Sequence, residues 1–176
     1  DGRLKLRLAL EALRKPAIKT LFLMPSIEGR QHAVTRYSLD LTRPYLCLHI
    51  RRGDYLNVAS HLISDDFFGV IAGRFNGLLD QVLVVSDSPV DAELTAKLRH
   101  QFQNVACLDD NEVSVFITHG LMRAAAILVC SNSQFSLSAG LLSDGLVIIP
   151  KVWYGPGYED LEAELGALSK FAIMGG

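Results

Sequence analysis

The stretch Tyr45-Leu46-Cys47-Leu48-His49-Ile50-Arg51-Arg52-Gly53-Asp54 decides how the chain is read. Its first six residues form an apolar run of strand length, suited to a pleated and buried surface. Two arginines, a glycine and an aspartate follow at once. Such a strand belongs in a parallel sheet covered on both faces, where polar residues collect beyond the carboxyl ends of the strands.

The same pattern recurs outward from this stretch. Strands are expected at 82–85, 104–108, 127–130 and 146–149. Helical segments alternate with them. Ser64-Asp65-Asp66 reads as a helix start, followed by Phe67, Phe68, Ile71 and Phe75. Ser88-Pro89 opens the next helix, with serine as cap and proline at the first helical position. Asn111 caps a helix that runs to about Ala126, and a helix over 158–170 closes the chain. Upstream, Leu4, Leu6, Leu10 and Leu13 suit an apolar helical face that Pro16 stops. Residues 17–44 show no firm period. The expected architecture is a Rossmann-like three-layer α/β domain with a mostly parallel sheet over 45–176. An N-terminal helix and a poorly readable segment over 1–44 precede it.

A chain of 176 residues can bury one sizeable core. With 49% apolar and 20% charged residues the composition is that of a folded protein, not a disordered one. The high apolar share has two readings: a sheet buried on both faces, or a surface that packs on a further lobe or a second copy. A net charge of −2 excludes a general binder of nucleic acid or of membrane surfaces, so phosphate binding must come from a local site. The apolar run at 124–130 is too short to span a bilayer. Cys47, Cys107 and Cys130 have no zinc spacing and read as reduced core residues. His32, His61, His100 and His119 show no ligand spacing, so no metal is expected. No strand runs into Gly-x-Gly-x-x-Gly, which disfavours a nicotinamide enzyme.

Three strand ends carry candidate chemistry. After the first, alternation sends His49 and Arg51 to one side and Arg52 to the other. A guanidinium is a permanently charged fork matched to phosphate oxygens, so one arginine is a diphosphate clamp while the other pairs with Asp54. An Arg-Asp surface pair on an ordinary loop is the plainer reading. After the second strand, Ser86-Asp87-Ser88 offers a carboxylate for a base or ribose, or simply a capping turn. After the fourth, Ser131-Asn132-Ser133-Gln134-Phe135-Ser136 leads short polar side chains into a helix. Its hydroxyls, amides and backbone N–H groups suit phosphate, and a plain helix start explains part of it.

These segments together resemble the α-1,2-fucosyltransferases and their α-1,6- and protein O-fucosyltransferase relatives. His49-x-Arg51-Arg52-x-Asp54 is similar to the family's His-x-Arg-Arg-x-Asp, and Ser86-Asp87 to its Ser/Thr-Asp-Asp. The run 131–136 resembles Ser-Asn-Ser-x-Phe-Ser, and Pro150-Lys151-x-Trp153-Tyr154 resembles Pro-Lys-x-Trp-Phe. All four keep the family's order over 45–154. The family's Gly-Gly-x-Gly-Asn-Gln segment, which opens its first lobe, is absent, and so are the tryptophans that follow its serine motif.

The resemblance implies the C-terminal donor lobe of a GT-B type glycosyltransferase. The donor would be GDP-fucose, the acceptor a glycan hydroxyl, and the transfer inverting and metal-independent, with no cofactor. Arg51 would be the catalytic residue on the β-phosphate, and Asp87 would hold guanine or ribose. Ser133, Gln134 and Ser136 would ring the diphosphate, beside Ser131, Asn132 and Phe135. His49, Arg52 and Asp54 would shape the loop, with Asp54 near the sugar. Bacterial relatives act in the cytoplasm, which is the expected location. Two other readings stay open. One is a non-catalytic GDP-sugar-binding module without the acceptor lobe. The other is a Rossmann-like assembly domain in which Arg51 pairs only with carboxylates.

Overall fold

The structure is a computed structural model that describes residues 24–37, 39–53, 62–109, 113–151, 163 and 165–174. Its strands are β1 (Leu46–Ile50), β2 (Gln81–Ser86), β3 (Asn104–Leu108), β4 (Ile127–Val129), β5 (Leu146–Pro150) and β6 (Phe171–Met174). Its helices are α1 (Ile27–Val34), α2 (Asp65–Gly73), α3 (Ala92–Gln101), α4 (Val115–Ala124) and α5 (Gln134–Leu142), with a 3-10 turn at Thr35–Tyr37 after α1. The strands form one sheet in the order β3-β2-β1-β4-β5-β6. Every neighbouring pair is parallel. This is the doubly wound order, in which the chain first builds outward from β1 through β2 to β3 and then returns to start again at β4. The crevice at the carboxyl ends of β1 and β4 is therefore the topological switch point.

Both faces of the sheet are covered, which explains the unbroken apolar strands. On one face Cys47, Leu83 and Leu128 pack with Val34 of α1, Leu121 of α4 and Leu137 of α5. On the other, Leu48, Val84 and Ile148 meet Phe68 and Ile71 of α2 and Leu98 of α3. The described part of the N-terminal region joins the first of these layers. A Cβ on Gly120 would lie 2.7 Å from Pro25 Cδ, so the glycine lets the chain entering α1 sit directly on α4. Tyr45, buried at the start of the β1 segment, donates its phenol hydrogen to the Leu121 carbonyl at 2.6 Å. Lys170, just before β6, donates to the Leu141 and Ser143 carbonyls at 2.8 and 2.7 Å and closes the C-terminal end of α5.

Several element boundaries differ from the sequence expectation. The helix expected from Ser88-Pro89 begins at Ala92, because Asp91 Oδ1 accepts from the Glu93 and Leu94 N–H groups and takes the capping role. Ser88 instead donates its N–H to Ser86 Oγ in the connecting turn. The helix expected from Asn111 begins at Val115, with Ser114 Oγ accepting from the Ile117 N–H. Asn111 itself lies outside the described residues, as do the expected helix at the N-terminus and Trp153 and Tyr154. The closing helix expected through Lys170 is helical at 163 and 165–166, then gives way to a turn and to β6, which pairs with β5 in register Val147↔Phe171. Cys47 and Cys130 are fully buried and Cys107 is half-buried; all three are free. Burial pushes the Cys130 thiol up to about 12, which keeps it protonated and inert.

Phe68 is fully buried beneath the sheet, whereas Leu78 is 74% exposed. Phe68→Ala is expected to cost about 3–5 kcal/mol in urea unfolding. Leu78→Ala should stay within about 0.5 kcal/mol of wild type. Equal losses would contradict this placement of the core.

Candidate functional site

The switch point gathers the residues that leave β1, β2 and β4. Asp87 follows β2 and is the hub. Its Oδ2 lies 2.7 Å from Arg51 Nη1. Its Oδ1 accepts the Arg52 backbone N–H at 2.8 Å. A Cβ on Gly53 would collide with the Asp87 carboxylate, so the residue after the arginine pair must lack a side chain. The β1 exit is thus wrapped around one carboxylate. Arg51 keeps 35% side-chain exposure, so this contact does not enclose it fully.

Arg52 turns to the other face. Its Nη1 donates to the Ile63 carbonyl at 2.7 Å and its Nη2 lies 2.5 Å from Asp65 Oδ1 at the start of α2. The expected partner, Asp54, lies outside the described residues. Asp65 was missed as a partner because it is distant in sequence and reads as a helix-start residue. Indeed Ser64 Oγ caps α2 by accepting the Phe67 N–H.

His49 joins β1 to the polar run that follows β4. Its Nδ1 lies 3.0 Å from Ser131 Oγ, and both residues are buried. Burial, the largest influence, lowers the His49 imidazole to about 4; the Asp87 charge opposes that shift and the Arg51 charge adds to it. His49 is therefore a neutral hydrogen-bonding group at neutral pH. Its ring also meets Phe135, with centroids 5.8 Å apart and planes tilted by 60°.

The run 131–136 folds as a cap and first turn. Ser133 is the N-cap of α5, with its Oγ accepting from the Phe135 N–H and its carbonyl from the Leu137 N–H. Asn132 is fully buried and engaged within the protein. Ser136 is also fully buried, and its single hydroxyl proton is shared between the Ser133 carbonyl at 3.2 Å and the Ser131 carbonyl at 3.4 Å. Gln134 is exposed at the first position of the helix. So the structure unites His49, Arg51, Asp87, Ser131, Ser133 and Phe135 at one end of the sheet and turns the Ser136 hydroxyl inward.

His119 shows no ligand spacing in the sequence, yet the structure brings it to the site. It stands on α4 with its ring 5.4 Å from Phe135 and its Nε2 3.1 Å from Ser138 Oγ. Burial first, and then the Arg123 charge, lower its imidazole below the ordinary value. No local sequence signal could have placed it here, because the contact crosses from one helix to the next.

A cleft of about 330 Å³ opens nearby between the first turns of α2 and α3. Asp65, Asp66, Asp91 and Glu93 line it against the single cation Lys97, so its field opposes a diphosphate. Among the described residues no cluster of three His, Cys, Asp or Glu suits a metal ion, and no helix is long and apolar enough to cross a membrane.

No protein family and no curated protein sequence matches the chain. Solved structures do share its fold. The glycosyl transferase family 9 protein of Veillonella parvula superposes with a TM-score of 0.55 at 14% identity, over 88% of this chain and 42% of that one. ADP-heptose LPS heptosyltransferase II of E. coli gives 0.59 at 18% identity, over 86% of this chain and 44% of that one. The chain spans less than half the length of either. The likeness is one of architecture: an α/β lobe of the GT-B type.

The His49 shift makes stability depend on pH. The unfolded imidazole titrates near 6.5 and the folded one near 4, so the unfolded chain binds the extra proton between these values. This contribution is intact above the upper value and is lost as pH falls toward the lower one, by roughly 3 kcal/mol in all. The melting temperature of His49→Phe should therefore fall less steeply than that of wild type between those two pH values. Parallel slopes would show that His49 is not buried in its neutral form.

Proposed function

We propose that this chain is the nucleotide-sugar-binding lobe of an inverting glycosyltransferase, with GDP-fucose as donor and a glycan hydroxyl as acceptor. The GT-B type fold supports a donor lobe in general. The fucose reading rests on the four motifs alone. One observation carries it furthest: the hydrogen bond between His49 and Ser131 joins the arginine motif to the serine motif at the switch point. Open α/β sheets bind their ligands at that place.

In this reading the acceptor hydroxyl gives up its proton to a general base as its oxygen bonds to the anomeric carbon and the bond from that carbon to the β-phosphate oxygen breaks. The electron pair leaves with GDP. Arg51 stabilises the charge growing on that phosphate more than it stabilises the bound donor, which is the requirement for acceleration. The resemblance gives Asp87 to guanine or ribose. With both its oxygens turned to the β1 exit, we assign Asp87 first to aiming Arg51, and the arriving diphosphate shares the guanidinium with it. The resemblance gives Ser133, at the start of α5, to the diphosphate from the other side. Arg52 ties the exit of β1 to the start of α2, with Ile63 and Asp65 as its anchors.

The Arg51–Asp87 pair also fits an assembly domain whose arginine serves only a carboxylate, and a titration separates the two readings. Calorimetry with GDP and GDP-fucose should show binding by the wild-type chain. Arg51→Ala should weaken it by about tenfold or more. Binding of neither ligand by a folded chain, or binding indifferent to Arg51, would overturn the donor-site reading. Tighter binding of an ADP-sugar than of GDP-fucose would overturn fucose while keeping a nucleotide-sugar lobe.

A further inference from the structure

We propose that His119 is a positioning residue of the donor site, fixing the Phe135 turn of α5 from the side of α4; this rests on the donor-site reading above. The hydrogen bonds define its role. Ser138 has one hydroxyl proton, and it goes to the Phe135 carbonyl at 2.9 Å. Toward His119 the same oxygen must accept, so the hydrogen on His119 sits at Nε2, 3.1 Å away. His119 thus completes a chain from α4 through Ser138 to the backbone of Phe135.

The rings reinforce that chain. Phe135 stands between two imidazoles, His119 at 5.4 Å with a 55° tilt and His49 at 5.8 Å with a 60° tilt. Tilted contacts at these separations suit aromatic rings. His49 is itself tied to Ser131. The turn that presents the serine motif is therefore gripped from β1 on one side and from α4 on the other. If the His119 link is removed, one grip is lost and the first turn of α5 gains freedom that ligand binding must then remove. His119 touches no reacting atom in this arrangement. It acts through Ser138 and Phe135.

The test is calorimetric titration with GDP of wild type, His119→Ala, His119→Gln and Ser138→Ala, each with its melting temperature measured. Glutamine can donate the same bond to Ser138, and alanine cannot. The alanine variants should bind GDP about three- to tenfold more weakly, with His119→Gln within about twofold of wild type. An unchanged affinity in a folded His119→Ala chain would overturn the proposal, whatever its melting temperature. Should that variant not fold, Ser138→Ala decides by the same criterion. A glutamine variant as weak as alanine would overturn the hydrogen bond as the route. Absence of GDP binding by the wild type would instead overturn the donor-site reading, and the role of His119 with it.

Discussion

The carboxylate of Asp87 organises this end of the molecule. It accepts one hydrogen bond from a side chain and one from a backbone amide, both supplied by the segment leaving β1. That geometry sets the direction of Arg51, the path of the chain at Arg52 and the need for glycine at residue 53. An arginine alone on a loop samples many rotamers and loses entropy when a ligand fixes it. Tethered to Asp87, Arg51 has already lost part of that freedom. The same tether means that the diphosphate of the proposed donor would have to compete with, or share the guanidinium with, a carboxylate already in place. Pre-aiming and competition are two sides of one contact.

The sheet supplies the frame that makes such a contact possible. Its strands run parallel and end together, so residues far apart in the chain emerge side by side. Asp87 and Arg51 meet because β1 and β2 pair in register, with Ile50 opposite Ser86. Ser131 and His49 meet because β4 lies on the other flank of β1, with Leu48 opposite Val129. Polar chemistry is confined to the strand ends because the strand interiors are enclosed by helices on both faces. The neutral state of His49 is a local result of that enclosure: the ring lies near the charged pair yet on the dry side of it.

How much of this was readable in advance follows physical lines. Strands are short, apolar and bounded by polar residues, so β1 to β5 were marked within a residue or so of their limits. β6 escaped because Phe171–Met174 follows a Glu- and Leu-rich stretch whose local pattern favours a helix; pairing with β5 decides its form. Helix starts misled where two polar residues competed for one cap. Asp91 prevails over Ser88 because its carboxylate accepts from two amides at once. The site was readable as a set of strand-end residues, since each announces itself locally by composition. Its wiring was not. Arg52 to Asp65, Arg51 to Asp87 and His119 to Ser138 are tertiary contacts, and no local spacing encodes them.

The Lys170 ammonium, which spans the Leu141 and Ser143 carbonyls, bears on how α5 can respond to a ligand. The helix is pinned at its far end by this cation and at its near end by the serine cap and the imidazoles around Phe135. A rod fastened at both ends cannot slide along its axis, so axial displacement is a poor channel for any signal from the crevice. Gly140 also lets α5 pack closely on β5, since a Cβ there would lie 2.8 Å from Val147 Cγ1. These contacts at both ends make α5 a fixed reference for the crevice, so a ligand there is expected to be felt first in the side chains at the strand ends.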